Sequence, residues 1–152
     1  MKDKVYLAGP LFTAAERTWN AWLAEALREK GFDVALPQEE AAAFISGARI
    51  DYAGIFAACL EGIRSANVVV AVFDGVDVDS GTAFECGYAY SKGIPILGVR
   101  TDIRSGGEEN GVNAMLSRSC QQVVSVPAFK NGEELVSSIV AALSSLKIAT
   151  PK

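Results

Sequence analysis

The stretch Val68-Val69-Val70-Ala71-Val72-Phe73 decides the fold of this chain. It is continuously apolar and rich in β-branched residues, which is the composition of a strand buried on both faces of a parallel sheet. Asp74 follows at the carboxyl end of this strand. Open α/β sheets bind their ligands at that edge, so the residues after Phe73 are the first candidates for a functional site.

Predicted helices and strands alternate on both sides of this strand. Apolar residues at helical spacing predict helices over 14–30, 52–65, 81–92 and 132–146, a short helix over 112–119, and a helix or ordered loop over 38–46. The predicted strands cover 4–8, 32–36, 68–73, 94–99 and 121–126. A polar loop is expected over 101–110 and a frayed tail over 149–152.

Five strands linked by helices require right-handed crossovers, and this requirement predicts the topology. We expect one domain over residues 1–152, an α/β fold with a doubly wound, five-stranded parallel sheet in the flavodoxin-like order 2-1-3-4-5. The switch point of that order lies between strands one and three. The loop of residues 9–12 and the loop of residues 74–82 should therefore flank one crevice.

Composition and charge exclude several classes of protein. A net charge of −4 without a cluster of Lys or Arg argues against a nucleic-acid partner and favours a small neutral or weakly charged ligand. The three cysteines (59, 86 and 120) have no paired spacing, and the chain has no histidine, so we expect reduced thiols and neither a metal nor another cofactor. No apolar run reaches membrane-spanning length and no signal peptide is apparent, which predicts a cytoplasmic protein without a membrane partner.

Two carboxylates stand six positions apart in the stretch Asp79-Ser80-Gly81-Thr82-Ala83-Phe84-Glu85-Cys86-Gly87-Tyr88. Asp79 is predicted at the end of a loop and Glu85 in the first turns of the following helix. Unpaired N–H groups at a helix start favour an ionised carboxylate, so an anionic Glu85 could serve as a nucleophile. The alternatives are an ordinary first-turn glutamate at Glu85, an N-cap at Asp79, and solvated loop acids at Asp74 and Asp77.

Three blocks of the chain resemble the nucleoside 2-deoxyribosyltransferases and the related enzymes that hydrolyse deoxynucleoside monophosphates. They are Val5-Tyr6-Leu7-Ala8-Gly9-Pro10, the stretch 79–87, and Gly111-Val112-Asn113-Ala114-Met115, and the resemblance extends over roughly residues 4–126. It implies a nucleophile at Glu85, contact of Asp79 with the nucleobase, and a tyrosine near the nucleophile at Tyr6.

The resemblance also implies a site shared between subunits. In the family, the asparagine that corresponds to Asn113 reaches the sugar 5′-hydroxyl of a neighbouring subunit's substrate, which predicts a homo-oligomer; the alternative is that Asn113 only caps a short helix. The predicted substrate-binding residues are Gly9, Pro10, Phe12, Asp74, Gly81, Asn113 and Met115. Cys59 departs from the family pattern, because several transferases carry Asp or Asn there to hold the nucleobase, and a thiol offers no comparable hydrogen bond.

The residue types suit cleavage of a bond between a sugar and a base. An adjacent carboxylate stabilises the oxocarbenium-like transition state and then traps the sugar as a covalent ester, the role we predict for Glu85. A second carboxylic group with a raised pKa can protonate the departing base, the role predicted for Asp79, with Asp74 or Asp77 as substitutes. Transfer to a second base rather than to water requires shielding of the ester from solvent.

Three functions are therefore open at the level of the sequence. The leading one is a 2-deoxyribosyltransferase whose partners are a small-molecule deoxynucleoside and a free nucleobase. The second is an N-glycoside hydrolase of deoxynucleosides or their monophosphates, which uses the same Glu85 ester. The third is a non-catalytic nucleotide-binding domain, since a fold alone does not fix a function. The sequence leaves the choice between purines and pyrimidines open.

Overall fold

The computed structural model describes residues 2–104, 109, 111–126 and 131–146. The first half of the chain forms β1 (Lys4–Ala8), α1 (Ala14–Glu29), β2 (Asp33–Ala35), α2 (Pro37–Glu40), a 3₁₀ turn (Ala41–Phe44), β3 (Ile45–Ser46), β4 (Arg49–Ile50) and α3 (Tyr52–Ser65). The second half forms β5 (Val68–Val72), α4 (Ser80–Ser91), β6 (Ile96–Arg100), α5 (Ala114–Ser119), β7 (Gln122–Ser125) and α6 (Gly132–Ser145). The predicted tail at 149–152 and part of the predicted loop at 101–110 lie outside the described residues.

The main sheet has five parallel strands in the order β2-β1-β5-β6-β7. Counted along the main sheet alone, this is the order 2-1-3-4-5, so the predicted flavodoxin-like α/β fold is confirmed. β1 and β5 are neighbours, with Val5 opposite Val68 and Ala8 opposite Ala71. The loops that follow these two strands therefore leave the sheet side by side.

Alternation along β1 assigns its side chains to two cores. Val5 and Leu7 pack in the core that contains Leu23 and Leu27 of α1 and Ile139 of α6. Tyr6 and Ala8 point to the opposite face, where the core contains residues of α3 and α4 such as Ile63 and Cys86. Because successive strand residues face opposite sides of a sheet, Tyr6 is directed towards the helix that carries Glu85.

A small hairpin, β3–β4, stands apart from the main sheet. Ile45 pairs with Ile50 and Ser46 with Arg49 in antiparallel fashion, and the turn begins at Gly47, whose φ of +59° suits glycine. The sequence predicted a helix or ordered loop over 38–46 and did not predict this hairpin. Two-residue strands are too short to show the alternation that identifies a strand.

Within the described ranges, no helix is long and apolar enough to cross a membrane. The same part of the chain contains no group of three or more His, Cys, Asp or Glu side chains that could hold a metal ion. All three cysteines are free thiols.

Candidate active site

A cavity of about 430 Å³ lies between the loop after β1, the start of α4, α3 and the β3–β4 hairpin. Glu85 and Asp79 both line it, as do Gly9, Phe12 and Gly81 among the residues predicted to bind substrate. Most of the remaining wall is apolar, with contributions from Ile45, Ile50, Ile55, Phe56, Leu60 and Phe84. Concave apolar sites with a few converging polar groups are typical of small-molecule binding.

A buried hydrogen bond positions Glu85. The hydroxyl of Tyr6, a fully buried residue at the centre of β1, donates to Oε1 of Glu85 at 2.5 Å. Burial raises the pKa of Tyr6, and the nearby charge of Glu85 raises it further, so the phenol remains a proton donor to the carboxylate. The predicted place of Tyr6 near Glu85 agrees with this geometry.

Gly62 on α3 makes room for the tyrosine ring. A Cβ at this position would lie 2.9 Å from Cε2 of Tyr6, closer than a side chain tolerates. We did not identify Gly62 from the sequence. A glycine inside a predicted helix is itself a signal, because glycine destabilises helix interiors and is retained there where another group approaches closely.

The helix start predicts an ionised Glu85, whereas the pKa of Glu85 is raised in the structure. Burial raises its pKa to about 7, the charge of Asp79 contributes in the same direction, and the Tyr6 hydrogen bond opposes both. Glu85 lies in the second turn of α4, where the partial charge of the helix start has weakened. Near neutral pH the acid and the carboxylate forms are therefore both well populated.

Asp79 caps a helix, one of the two roles that the sequence left open, and it also lines the cavity. It is the N-cap of α4, and its Oδ2 accepts from the backbone N–H of Thr82 at 2.9 Å and from the Thr82 hydroxyl at 3.2 Å. The other oxygen, Oδ1, has no partner among the described residues. Gly81 leaves room for the Asp79 carboxylate, because a Cβ at position 81 would lie 3.1 Å from Oδ2 of Asp79. Capping thus fixes the carboxylate and leaves one oxygen for a ligand.

The loop after β1 is tied firmly to α1. The buried Asn20 donates through Nδ2 to the carbonyl of Pro10 at 2.8 Å, and Arg17 donates to the carbonyls of Leu11 and Phe12, both at 3.1 Å. Pro10 is not among the cavity-lining residues, although its neighbours in the loop are. Asn20 was not singled out in the sequence; its signal is a polar residue at helical spacing with the buried Leu23, Ala24 and Leu27.

Asp74, one of the residues predicted to bind substrate, does not line this cavity in the single chain. Its carboxylate accepts from the backbone N–H groups of Thr101 at 2.6 Å and Asp102 at 2.9 Å and from the Thr101 hydroxyl. These donors come from the chain after β6, so Asp74 ties the ends of two neighbouring strands together. Asp77 lines a second cavity and not this one. Neither acid is placed to substitute for Asp79 within one chain.

Asn113 and Met115 line that second cavity, of about 580 Å³, between α4 and α5. Asn113 is the N-cap of α5, and its Oδ1 accepts from the backbone N–H of Met115 at 2.9 Å. The Met115 side chain is 81% exposed. A single chain therefore does not bring these two predicted substrate-binding residues to Glu85.

The geometry suits chemistry at a carbon bound to a good leaving group. A carboxylate with one oxygen held by a phenol can use the other as a nucleophile, and a second carboxyl group nearby can exchange a proton with the leaving group. The apolar walls lower the local polarity of the cavity, which strengthens electrostatic interactions between the groups that line it.

Comparison with known proteins agrees with this description. A family model described as nucleoside 2-deoxyribosyltransferase matches residues 5–116. No curated protein matches the chain significantly. A solved structure of a conserved protein from Enterococcus faecalis is 32% identical, with a TM-score of 0.75 and coverage of 93% of this chain and 99% of that one.

Two solved structures with described activities share the fold. A 2-deoxyribosyltransferase from Bacillus psychrosaccharolyticus is 23% identical, with a TM-score of 0.68 and coverage of 87% of this chain and 95% of that one. A CMP N-glycosidase from Clostridium botulinum is also 23% identical, with a TM-score of 0.61 and coverage of 91% of this chain and 99% of that one.

Proposed function

Because this chain belongs to the nucleoside 2-deoxyribosyltransferase family, we propose that it exchanges nucleobases on 2′-deoxynucleosides through a covalent ester at Glu85. One observation carries this proposal, namely the hydrogen bond of 2.5 Å between the buried Tyr6 hydroxyl and Glu85 at the wall of the cavity. A glutamate that served only to start a helix would need no such buried donor. The bond orients the carboxylate and stabilises its ionised form.

The first half of the reaction breaks the bond between sugar and base. Oε2 of Glu85 attacks the anomeric carbon, the C–N bond breaks, and its electron pair moves to the base nitrogen. Asp79 in its acid form delivers a proton to the departing base through Oδ1, the oxygen that has no partner among the described residues. The products are a deoxyribosyl ester of Glu85 and a free base.

The second half reverses these steps with another base. Its ring nitrogen attacks the anomeric carbon, the ester bond breaks, Glu85 leaves as the carboxylate, and the proton of the incoming base passes to Asp79. Two displacements at one carbon retain its configuration. The role of Tyr6 is to hold Glu85 in place throughout, since its proton stays on the phenol.

Hydrolysis of the same ester is the second candidate, and the exposure of the cavity rim favours it. The side chains of Phe56, Phe84 and Tyr52 are 53%, 54% and 73% exposed in the single chain, so water has access to the site unless another molecule covers it. A non-catalytic binding domain has less support, because two carboxyl groups line one cavity and a buried tyrosine donates a hydrogen bond to one of them.

We further propose that Asn113 of one subunit completes the Glu85 site of another. Asn113 and the exposed Met115 lie at the α4–α5 surface, outside their own chain's Glu85 cavity, which is the arrangement that a shared site requires. A closed homo-oligomer would bring such surfaces together and cover the exposed aromatic rim.

Incubation with deoxyinosine, with and without free adenine, tests these functions. Chromatography should show deoxyadenosine and hypoxanthine only when adenine is present if the protein is a transferase. Hypoxanthine and free deoxyribose in the absence of adenine would indicate a hydrolase. Glu85→Ala should abolish either activity without loss of the fold, and a folded Glu85→Ala protein with normal turnover would exclude the ester mechanism.

A further inference from the structure

Thr82 contacts the carboxylate of Asp79 through two donors. Its backbone N–H and its hydroxyl both donate to Oδ2 of Asp79, at 2.9 Å and 3.2 Å. Only the first of these bonds belongs to the N-cap of α4. The hydroxyl bond is an addition that capping does not require, so it calls for a separate explanation.

The hydroxyl of Thr82 is held in place by its surroundings. Thr82 is 1% exposed, and it also lines the cavity that contains Glu85. The two heavy atoms on its Cβ restrict rotation about χ1. The hydroxyl has no partner other than Asp79 among the described residues. If its hydrogen were not donated to Asp79, it would be buried without an acceptor, which is unfavourable.

These two donors decide which oxygen of Asp79 carries a proton in the acid form. Oδ2 already accepts two hydrogens, and a proton placed there would turn the Thr82 hydroxyl away from its acceptor. Oδ1 has no partner among the described residues. The proton of the carboxylic acid therefore lies on Oδ1.

We propose that Thr82 is a positioning residue for the proton transfer, because its hydroxyl keeps the acidic proton of Asp79 on Oδ1, the oxygen available to the nucleobase. This inference rests on the proposed function. In the first half of the reaction the proton leaves Oδ1 for a ring nitrogen of the departing base, as the C–N bond breaks and its electron pair moves to that base. In the second half the incoming base returns a proton to the same oxygen. Thr82 itself neither gains nor loses a proton.

The dependence of the rate on the leaving group separates this role from a purely structural one. The base of 7-methyl-2′-deoxyguanosine already carries a positive charge, so it departs without a proton from Asp79. Loss of a positioned acid costs about 10²- to 10⁴-fold in rate. Thr82→Val loosens the acid without removing it, so we expect kcat/KM to fall by about 10- to 100-fold for 2′-deoxyguanosine and by less than about threefold for the methylated substrate. If only pyrimidines are accepted, 2′-deoxyuridine and its 5-fluoro analogue, whose base leaves more readily as an anion, form the equivalent pair.

Two further variants make the comparison specific to the hydroxyl. Thr82→Ser retains the hydroxyl and should keep the ratio of the two substrates near the wild-type value. Thr101→Val is a matched control, because the Thr101 hydroxyl also donates to an aspartate, at 2.5 Å from Oδ2 of Asp74, but Asp74 does not line the cavity; the ratio should be unchanged.

The inference would be overturned if a folded Thr82→Val protein lost the same factor on both substrates, or lost nothing on either. Equal losses would mean that Thr82 supports only the fold. If Thr82→Val does not fold, Thr82→Ser and Thr82→Ala supply the same comparison, since these two variants differ from each other only in the hydroxyl.

Direct binding of free hypoxanthine and free uracil keeps this inference separate from the proposed function. A ring N–H of either base can donate to Oδ1 of the ionised Asp79. Thr82→Val should therefore weaken binding of the tighter base by about three- to tenfold, and Thr101→Val should not. If the wild type binds with this pattern but exchanges no base, the transferase proposal fails and the orientation of Asp79 by Thr82 stands. Exchange with equal losses on both substrates refutes only the role of Thr82, and a protein that neither exchanges nor binds a base refutes both.

Discussion

Removal of one oxygen atom, in Tyr6→Phe, should shift the pH dependence of the reaction rather than abolish it. The phenol donates to Glu85 at 2.5 Å, and hydrogen bonds to charged groups contribute about 1.5–3 kcal/mol. Each pKa unit corresponds to 1.36 kcal/mol, so loss of this donor should raise the pKa of Glu85 from about 7 by about one to two units. The ring stays in place because its surroundings are unchanged.

This shift has a calculable effect on rate. If the carboxylate form is the nucleophile, about half of the wild-type protein is active at pH 7, whereas a pKa of about 8 to 9 leaves roughly 10% to 1% active. We therefore expect Tyr6→Phe to be about 5- to 50-fold slower at pH 7 and to recover most of the loss in alkaline buffer. The sign follows from the donor, which favours the ionised form in the wild type.

The assay is kcat/KM for base exchange from pH 5.5 to pH 9.5, with the acidic limb fitted for each protein. Tyr88→Phe is the matched control, because Tyr88 also packs against the core that contains Tyr6 but lines neither cavity, and its profile should match the wild type. A loss of rate that is the same at every pH would refute the argument, since it would mean that Tyr6 does not act through the ionisation of Glu85. An unchanged profile would show that the bond has no influence on catalysis.

Four further predictions address the remaining parts of the site. Burial raises the pKa of Glu85 from 4.5 to about 7, so the stability that the protonated side chain contributes should be lost as the pH rises through this window, by at most about 3 kcal/mol. Thermal unfolding should therefore show a smaller loss of stability between pH 5 and pH 8 for Glu85→Gln than for the wild type. Parallel stability curves for the two proteins would contradict this. Asp79→Asn retains an N-cap, so its thermal midpoint should match the wild type while turnover falls by about two to four orders of magnitude. A lower midpoint with normal turnover would mean that Asp79 serves only as a helix cap. Gly62→Ala should destabilise the fold by about 1–3 kcal/mol in chemical denaturation and slow the reaction, because the added Cβ displaces the Tyr6 ring. Gly87→Ala is the control: a Cβ there meets nothing within 4 Å, so this variant should be neutral or stabilising. Inactive Glu85→Ala and Asn113→Ala proteins should regain part of the activity after subunit exchange if sites are shared, and hybrids detected by mass spectrometry without activity would place Asn113 outside the partner's site.

The main sheet was predictable because its strands carry strong local signals. The bounds of β1 and α3 agree with the prediction, and those of the other principal elements differ by one or two residues. The apolar run that became β5 is buried throughout and lies at the centre of the sheet. The hairpin escaped prediction because Ile45 and Ile50 are half exposed and pair across a two-residue turn, so no buried face imposes a pattern.

Part of the geometry of the candidate site could be predicted from the sequence. The place of Asp79 at the start of α4 follows from local sequence, and the proximity of Tyr6 to Glu85 was implied by the resemblance to the family; the catalytic roles of these residues stay predictions. The bonds of Asp74 to Thr101 could not be foreseen, because they join segments 27 residues apart through loop conformations. The raised pKa of Glu85 depends on burial, which spacing alone does not reveal, and it outweighs the helix-start effect that the sequence suggests.

The walls of the cavity differ in how closely they are tied to Glu85. Tyr6, Asp79 and Glu85 belong to the central sheet and α4, and the loop after β1 is fastened to α1 by side-chain bonds. The opposite side is formed by α3 and by a hairpin that shares no strand with the main sheet. Substitutions at Ile45 or Ile50 can therefore remodel the pocket without altering the support of Glu85. Such mutations can change which leaving groups and acceptors the pocket admits while the reacting atoms keep their arrangement. Substrate specificity can thus evolve separately from the catalytic groups.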